Sequence, residues 1–404
     1  MRHMRTSPAA FYFRPRVLAV LLFGALLVGS RPTEAVAQPA SGSSVLDDVV
    51  VQYQTKKGLD HLYNMEFDEA RAMFEMIDQA HPNHPMGPFL LALNTWWEIL
   101  IDLSNESRDE KFYAAMNEVI ARSDRMLKRD PKNFDAMFFK GAALGFRGRL
   151  RSNRGDWFRA AKDGIRAMDY VLGIAERRPD NADFAFGEGI YDYYAVAVPE
   201  KYPYVKPVMI FFPNGNKARG IQKLERTVRD GNFISTEAAY FLLQIYYLFE
   251  RDFEKSEYYA KWLREHHPQN SFFHAFEGRV YAKWGQWDKV HSIYADVLDR
   301  YKSRQTGYNA AIAEQALYYL ARSRMAFGDY EQALTYLDNL RALGARDNEQ
   351  SYFEVLGRLR QGMVMDALGK RGDAVAAYRE VLTMKDWSGS HDTAKRFLDR
   401  PYSG

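Results

Sequence analysis

The stretch from Tyr240 to Val297 reads YFLLQIYYLFERDFEKSEYYAKWLREHHPQNSFFHAFEGRVYAKWGQWDKVHSIYADV, and it contains one pattern of residues twice. Tyr247 in the first copy corresponds to Tyr281 in the second, and Phe253 corresponds to Trp287. Both pairs are 34 residues apart. The pattern predicts two successive helix-turn-helix units.

Each predicted unit needs neighbours to be stable. In residues 238–249 the apolar side chains recur at intervals of three and four, which gives one helix two apolar faces. One face packs on the second helix of the same unit and the other on the next unit, so an array is stable where a single unit is not. Gly285 stands where the first helix must end and the chain reverse, a place that favours a left-handed residue. The pattern therefore indicates a stack of helix pairs.

The marker residues of this stretch resemble the tetratricopeptide repeat, in which an aromatic, Leu-Gly, Tyr, a small residue, an aromatic and a closing Pro recur over about 34 residues. Further copies surround Gly58, Gly328 and Gly362. The resemblance implies an all-α, right-handed superhelical solenoid. Residues 392–398 are expected to form a polar capping helix, which an open solenoid requires.

The first 37 residues have the features of a secretory signal peptide. Four Arg precede a short apolar run over 17–28, and Ala35, Val36 and Ala37 offer a signal-peptidase site before Gln38. The run has 12 residues, whereas a membrane-spanning helix needs about 20. We therefore expect export across the inner membrane and a location in the periplasm or at the outer-membrane periphery.

The rest of the chain divides into four predicted segments. Residues 38–50 are a flexible lead-in, 51–186 hold N-terminal helical repeats, 187–220 form an aromatic joint, and 221–404 hold the C-terminal repeats and the capping helix. In the joint, we expect one helix to end before Pro199 and another to begin after a cap at Asn216. Two interpretations of the joint stay open: a lipid or hydrophobic-ligand site, and an irregular packing joint between two halves.

The joint is also similar to a eukaryotic family of tetratricopeptide-repeat proteins that is linked to inclusion-body clearance and lipid droplets. The similarity is carried by Gly189 with Tyr193, by Phe212-Pro213-x-Gly215, and by Gly220. It implies a lipid-associated function as the alternative to protein binding.

Composition excludes several classes of function. Residues 1–37 contain five Arg and one acidic residue, so the chain after them carries 50 basic and 51 acidic side chains and offers no electrostatic reason to bind nucleic acid. There is no Cys for a disulfide, a thiol nucleophile or a zinc site, and no nucleophile-elbow, phosphate-loop or zinc-protease motif. Two groups of His, around Pro82 and Pro268, lack carboxylates at ligand spacing. We therefore expect no enzyme activity, no metal and no cofactor.

Two sets of residues are candidates for binding. Arg147, Arg149, Arg151 and Arg154 form a cationic cluster that could meet phosphate groups of a lipid surface or an acidic partner, or could simply be a solvated helix end. In the tetratricopeptide family the first helix of each unit lines a concave groove. Carrying the groove positions onto this chain gives Phe241, Ile245, Phe249, Phe272, Arg279, Lys283, Tyr318 and Arg322.

Aromatic and cationic groups alternate in that second set, which suits an extended acidic or C-terminal peptide. The alternative interpretation, in which Phe241 and Ile245 pack between units and the cations are solvated, is equally open. The sequence thus predicts a non-catalytic scaffold that binds a protein or peptide in a bacterial cell envelope, with a peripheral membrane-surface protein as the alternative.

Overall fold

The computed structural model describes residues 44–172, 174–178, 181–203, 206, 213–344 and 350–404. Within these ranges the chain is helical and has no strand. The predicted signal peptide, the first residues of the lead-in, and all of the apolar joint segment 205–212 except Lys206 lie outside the described residues. The fold is all-α, as the sequence predicted.

The chain divides into two compact units. The N-terminal unit comprises the described residues of 44–99 and 106–251, and the C-terminal unit comprises 100–105 and the described residues of 252–404. The helices up to residue 251 are α1 Val49–Tyr63, α2 Phe67–Ala80, α3 Met86–Leu100, α4 Asp109–Arg129, α5 Phe134–Asn153, α6 Trp157–Val171, α7 Ile174–Arg177, α8 Ala185–Lys201, α9 Lys217–Asp230 and α10 Ser235–Ile245. The helices after it are α11 Phe253–His266, α12 Ser271–Lys283, α13 Trp287–Lys302, α14 Ala310–Ala326, α15 Tyr330–Gly344, α16 Tyr352–Ala367, α17 Arg371–Thr383 and α18 Ser390–Asp399.

Consecutive helices pack as antiparallel pairs, and in three pairs a glycine of the first helix receives an aromatic ring of the second. A Cβ atom on Gly278 would lie 2.5 Å from the ring of Tyr294, which is closer than real contacts allow. The ring comes 16 residues after the glycine each time, in the pairs Gly58–Phe74, Gly278–Tyr294 and Gly362–Tyr378. The repeated glycine therefore fixes how closely the two helices of a unit approach.

The turns between paired helices use a left-handed residue. Gly285 has φ of 74°, as the sequence predicted, and Gly155, Gly328 and Gly369 have φ of 79°, 76° and 75°. Glycine adopts this conformation without the steric cost that a Cβ brings. Arg251 occupies the equivalent place after α10 with φ of 54°, and a five-residue π-helical turn, Tyr246–Glu250, precedes it.

In the described part of the predicted joint, helix α8 extends further than the sequence predicted. Helix α8 does not end before Pro199 but includes it and continues to Lys201. The proline lies in the last turn, where the lost N–H affects only one hydrogen bond of the helix. The predicted cap of α9 is confirmed, because the Asn216 side chain accepts a hydrogen bond of 2.9 Å from the backbone N–H of Arg219.

The glycines of this region bring α8 and α9 together. A Cβ atom on Gly220 would lie 2.6 Å from the backbone nitrogen of Tyr193, and one on Gly189 would lie 3.1 Å from the carbonyl oxygen of Gly220. Two of the glycines that carry the similarity to the lipid-droplet family thus have a packing role here.

The C-terminal unit ends with α18, which spans the residues 392–398 that were predicted to form a capping helix. Ala394 and Phe397 of this helix are buried, whereas Asp392, Lys395 and Arg396 are at least partly exposed. In the part of the chain that the structure describes, none of the helices combines the length and the apolar character that crossing a membrane requires.

Candidate functional site: the first helices of the pairs

Four arginines of α5 and the turn after it were predicted to act as one cluster, but helix geometry separates them. Successive residues of an α-helix are rotated by about 100°, so Arg147, Arg151 and Arg154 share one face and Arg149 faces the other way. Proximity in sequence therefore does not make these four cations one surface.

The three arginines of the first face are held in ion pairs. Arg147 makes two hydrogen bonds to Asp163, with its Nε 2.8 Å from Oδ2, and Arg151 Nη1 lies 2.6 Å from the same carboxylate. Arg154 donates from Nε and Nη2 to Asp109 at 2.6 and 2.8 Å. These arginines join α5 to α6 and α4, so they do not form the anion or lipid contact surface that the sequence suggested.

Arg149 lies on aromatic rings instead. Its guanidinium carbon is 5.0 Å from the ring centroid of Trp96, 5.6 Å from that of Tyr240 and 5.1 Å from that of Phe241. No carboxylate oxygen of the described ranges lies within 4.0 Å of its nitrogens. The cation is therefore held by ring faces and keeps its N–H groups available for an anion.

The predicted groove residues fall in both units. Phe241, Ile245 and Phe249 belong to the N-terminal unit, and the remaining five belong to the C-terminal unit. Phe241 and Phe249 are half-buried, as are Lys283 and Arg322. These four expose part of their side chains to solvent.

Four other predicted groove residues are buried, which corrects the prediction for them. Ile245 is 0% exposed, Phe272 is 1% exposed and Tyr318 is 4% exposed. Neighbouring rings contact two of them. The ring centroid of Phe353 lies 5.4 Å from that of Tyr318, and the ring centroid of Phe273 lies 6.1 Å from that of Phe272. The fourth is Arg279, which is 7% exposed and lies 4.0 Å above the Phe276 ring. Packed aromatic rings therefore occupy positions that were predicted to line an open groove.

Arg322 of α14 has the same environment as Arg149. Its guanidinium carbon lies 5.0 Å from the ring of Trp287, 5.7 Å from that of Tyr318 and 5.4 Å from that of Tyr319. Arg324, two residues later, faces away and contacts His291 at 2.9 Å and Asp329 at 3.7 Å. Arg322 has no carboxylate within 4.0 Å in the part of the chain described.

Arg360 of α16 lies next to Arg322 around a shared tyrosine. Burial raises the pKa of Tyr318, but the charges of Arg360 and Arg322 outweigh it and bring the pKa below its usual value. Arg360 donates a long contact of 3.6 Å to the sulfur of Met363, and no acidic side chain among the described residues pairs with it. Arg358, two residues earlier, pairs with Glu380 at 2.6 Å. The two first helices thus present two cations without acidic partners.

A spacing rule connects these arginines to the repeat. Arg149, Arg279 and Arg322 each precede the left-handed turn glycine of their pair by six residues, at Gly155, Gly285 and Gly328. The rule is visible in the sequence itself. Arg360 does not follow it, so only the structure brings that residue to Arg322. We call Tyr318, Arg322 and Arg360 the arginine wall.

The histidines have structural partners. His84 is buried, and its Nε2 lies 3.1 Å from Asp135 Oδ2 while its Nδ1 accepts the backbone N–H of Met86. His274 is buried beside the hydroxyl of Tyr308 at 2.9 Å. In the described residues no three His, Cys, Asp or Glu side chains are grouped as a metal site would need.

Comparison with known proteins supports the repeat. The family model of the tetratricopeptide repeat matches residues 315–343, which span most of α14 and α15. No curated protein matches the sequence. Together with the paired helices, the glycine contacts and the left-handed turns, this match makes the fold a helical repeat of the tetratricopeptide type.

Several solved structures are similar over most of the chain at low identity. Yeast Tom70 is 8% identical with a TM-score of 0.42, and the alignment covers 86% of this chain and 88% of that one. Human IFIT1, solved as a dimer with m7Gppp-AAAA, is 13% identical with a TM-score of 0.46 and coverages of 87% and 85%. NprR, in complex with its cognate peptide NprX, is 13% identical with a TM-score of 0.37 and coverages of 87% and 83%.

Proposed function

We propose that this protein is an exported, non-catalytic scaffold that binds an acidic peptide segment of a partner protein on the arginine wall of its C-terminal unit. The observation that carries the proposal is the pair Arg322 and Arg360, which flank Tyr318 without an acidic partner among the described residues. Two adjacent cations without acidic partners among the described residues favour an external anion, and a guanidinium forms strong charge-assisted hydrogen bonds with a carboxylate.

The surroundings of the two arginines favour a peptide over a simple ion. Trp287 and Arg322 are half-buried, so both the ring and the cation are reached by solvent. Aromatic rings supply contact area for apolar side chains, and a guanidinium binds a carboxylate through two parallel hydrogen bonds. An extended segment with alternating acidic and apolar residues would use both features.

Export is supported by the sequence of residues 1–37. An Arg-rich start, a 12-residue apolar run and a small-residue cleavage site are typical of a secretory signal. A partner in a bacterial cell envelope follows from that location. The peripheral-membrane alternative has less support, because three of the four arginines on which it depended are held by Asp163 and Asp109.

The test is a binding titration with a fluorescent decapeptide in which Asp or Glu alternates with Leu or Phe. We expect the Arg322→Gln/Arg360→Gln variant to bind it at least tenfold more weakly, because each charge-assisted hydrogen bond contributes about 1.5–3 kcal/mol. The matched control is Arg379→Gln/Lys395→Gln, which removes two cations of the same unit that lie outside the arginine wall. Equal loss in both variants, or equal binding of a peptide with Asn and Gln in place of the acids, would contradict the proposal.

A further inference from the structure

The N-terminal unit holds a second group of polar atoms without partners among the described residues, and several of them are close to Arg149. Five side chains that are each at least 95% buried have a polar atom with no hydrogen-bond partner among the described residues. These atoms are Asn94 Oδ1, Trp96 Nε1, Tyr194 Oη, Glu237 Oε2 and Gln244 Oε1. Most buried polar groups in proteins are paired, and an unpaired one costs about 1–3 kcal/mol.

These atoms belong to helices that meet at the Arg149 rings. Trp96 is itself one of the rings under the guanidinium, and Asn94 lies two residues before it in α3. Burial raises the pKa of Glu237 and the pKa of Tyr194. The nearby positive charge of Arg149 offsets part of the rise in both, which places this cation close to the two side chains. Three of the unpaired atoms, Trp96 Nε1, Tyr194 Oη and Glu237 Oε2, therefore belong to side chains close to one cation. Asn94 faces α2 instead, because its Nδ2 donates a hydrogen bond of 3.2 Å to the carbonyl oxygen of Phe67.

Helix α10 presents the two acceptors on a single stripe. Glu237, Tyr240, Phe241 and Gln244 are spaced at three, four and seven residues, which places them on one face of the helix. Tyr240 and Phe241 supply two of the rings below Arg149, and Glu237 and Gln244 extend the stripe at its two ends. Arg149 and Phe241 are half-buried, so solvent reaches this face.

We propose that this face of the N-terminal unit binds a small aromatic carboxylic acid that also carries a hydrogen-bond donor. The guanidinium of Arg149 would bind the carboxylate, the half-buried ring of Phe241 would contact the flat body, and Glu237 or Gln244 would accept a hydrogen bond from the donor. Trp96 and Tyr240 are buried beneath Arg149 and would hold its guanidinium in place. Recognition of this kind combines an apolar wall with a few polar groups that fix the orientation.

This inference does not rest on the proposed function. The site uses residues of the N-terminal unit alone, and its ligand is a small molecule rather than a peptide. The Arg322→Gln/Arg360→Gln variant should bind the aromatic acid as the wild-type protein does. Loss in that variant would show that the acid binds at the arginine wall and would overturn the inference.

Isothermal titration of the full chain with para-hydroxybenzoate and indole acetate tests the inference. We expect both acids to bind, and para-hydroxybenzyl alcohol and inorganic phosphate to bind at least tenfold more weakly, because the alcohol lacks the anion and phosphate lacks the ring. Arg149→Gln should weaken para-hydroxybenzoate at least tenfold, whereas Arg129→Gln, an exposed arginine at the end of α4, should not.

Three further results would overturn the inference. The first is that neither acid binds. The second is that the acid, the alcohol and phosphate bind the wild-type protein equally, which would indicate a non-selective surface even if Arg149→Gln did not fold. The third is that a folded Arg149→Gln variant, judged by its circular dichroism, binds para-hydroxybenzoate like the wild-type protein.

Discussion

At the scale of single residues, glycine contacts decide how the helices of a pair meet. Gly278 and Gly145 are both inside first helices, but Gly278 lies under the Tyr294 ring, whereas no atom lies within 4 Å of a Cβ built on Gly145. The same substitution should therefore have opposite effects at the two positions.

We expect Gly278→Ala to lower the free energy of unfolding and Gly145→Ala to raise it. The methyl group that the first substitution adds would overlap the Tyr294 ring, and overpacking typically costs about 1–3 kcal/mol. At Gly145 the helix gains about 0.5–1 kcal/mol because Ala loses less conformational entropy than Gly. Thermal unfolding followed by circular dichroism measures both. If Gly278→Ala proved more stable than the wild-type protein, this would contradict the claim that the Tyr294 ring packs directly on Gly278.

Single residues also show which structural features could be predicted from the sequence. Gly285, Gly155 and the Asn216 cap were predictable because backbone conformation and capping depend on nearby residues. Burial of Tyr318 was not, since it depends on rings such as Phe353 that come from other helices. The meeting of Arg360 with Arg322 likewise depends on how two first helices pack.

At the scale of elements, the α10 turn is one of two described repeat turns whose left-handed residue is not glycine, and the other is the turn after α1, where Met65 has φ of 68°. Several other first helices end at a left-handed glycine, but this one ends with a π-helical turn and Arg251 at φ of 54°. A non-glycine residue in this conformation costs about 1–2 kcal/mol. The π-helical turn and the strained residue after it were not predictable, because the aromatic pattern of the stretch continues through them.

We expect Arg251→Gly to raise the free energy of unfolding by about 0.5–1 kcal/mol. The relief of left-handed strain exceeds the entropy that glycine adds to the unfolded chain, which is about 0.4–1 kcal/mol. Chemical denaturation compared with Arg251→Ala, which keeps the strain, provides the control. Equal stability of the two variants would contradict the assignment of a left-handed residue at this turn.

Helix periodicity explains the arginine pairs of the first helices. Arg147 and Arg149, Arg322 and Arg324, and Arg358 and Arg360 are each two residues apart, which places the members of a pair on nearly opposite faces. One member pairs within the fold, and the other has no acidic partner among the described residues. The prediction that the four arginines at 147–154 form one cluster is wrong, because this rotation turns Arg149 away from Arg147 and Arg151.

At the scale of the whole molecule, two buried histidines link stability to pH. Burial, with the cations Arg264 and Arg300, lowers the pKa of His274 to about 2, and burial with His266 lowers that of His267 to about 3. His274 Nε2 lies 3.5 Å from Asp296, but this carboxylate does not compensate for the burial. Both side chains are therefore neutral in the folded protein over most of the acid range.

Stability should fall as the pH drops below about 6.5, where the unfolded histidines bind protons and the folded ones do not. Each histidine contributes a loss of about 1.4 kcal/mol per pH unit, and the loss continues until the pH reaches the folded pKa. His274→Gln should reduce the slope of stability against pH between about pH 6 and 4, and adding His267→Gln should reduce it again. Slopes parallel to that of the wild-type protein would show that these histidines are not held neutral.

The signal peptide is a prediction for the chain as a whole. We expect the exported protein to begin at Gln38, because the Ala-Val-Ala site directly precedes it. Intact-mass spectrometry of protein recovered from the periplasm of an expressing bacterium measures this. A mass that includes the first 37 residues would contradict cleavage.

The central claim is that the arginine wall of the C-terminal unit binds an acidic peptide. Hydrogen–deuterium exchange of the wild-type protein with and without the alternating acidic decapeptide tests it most directly, because the bound segment should slow exchange in the helices that it covers. We predict slower exchange in α14 and α16, which carry Arg322 and Arg360, and no such change in the Arg322→Gln/Arg360→Gln variant. Slower exchange confined to other helices, or the same protection in the variant, would contradict the claim.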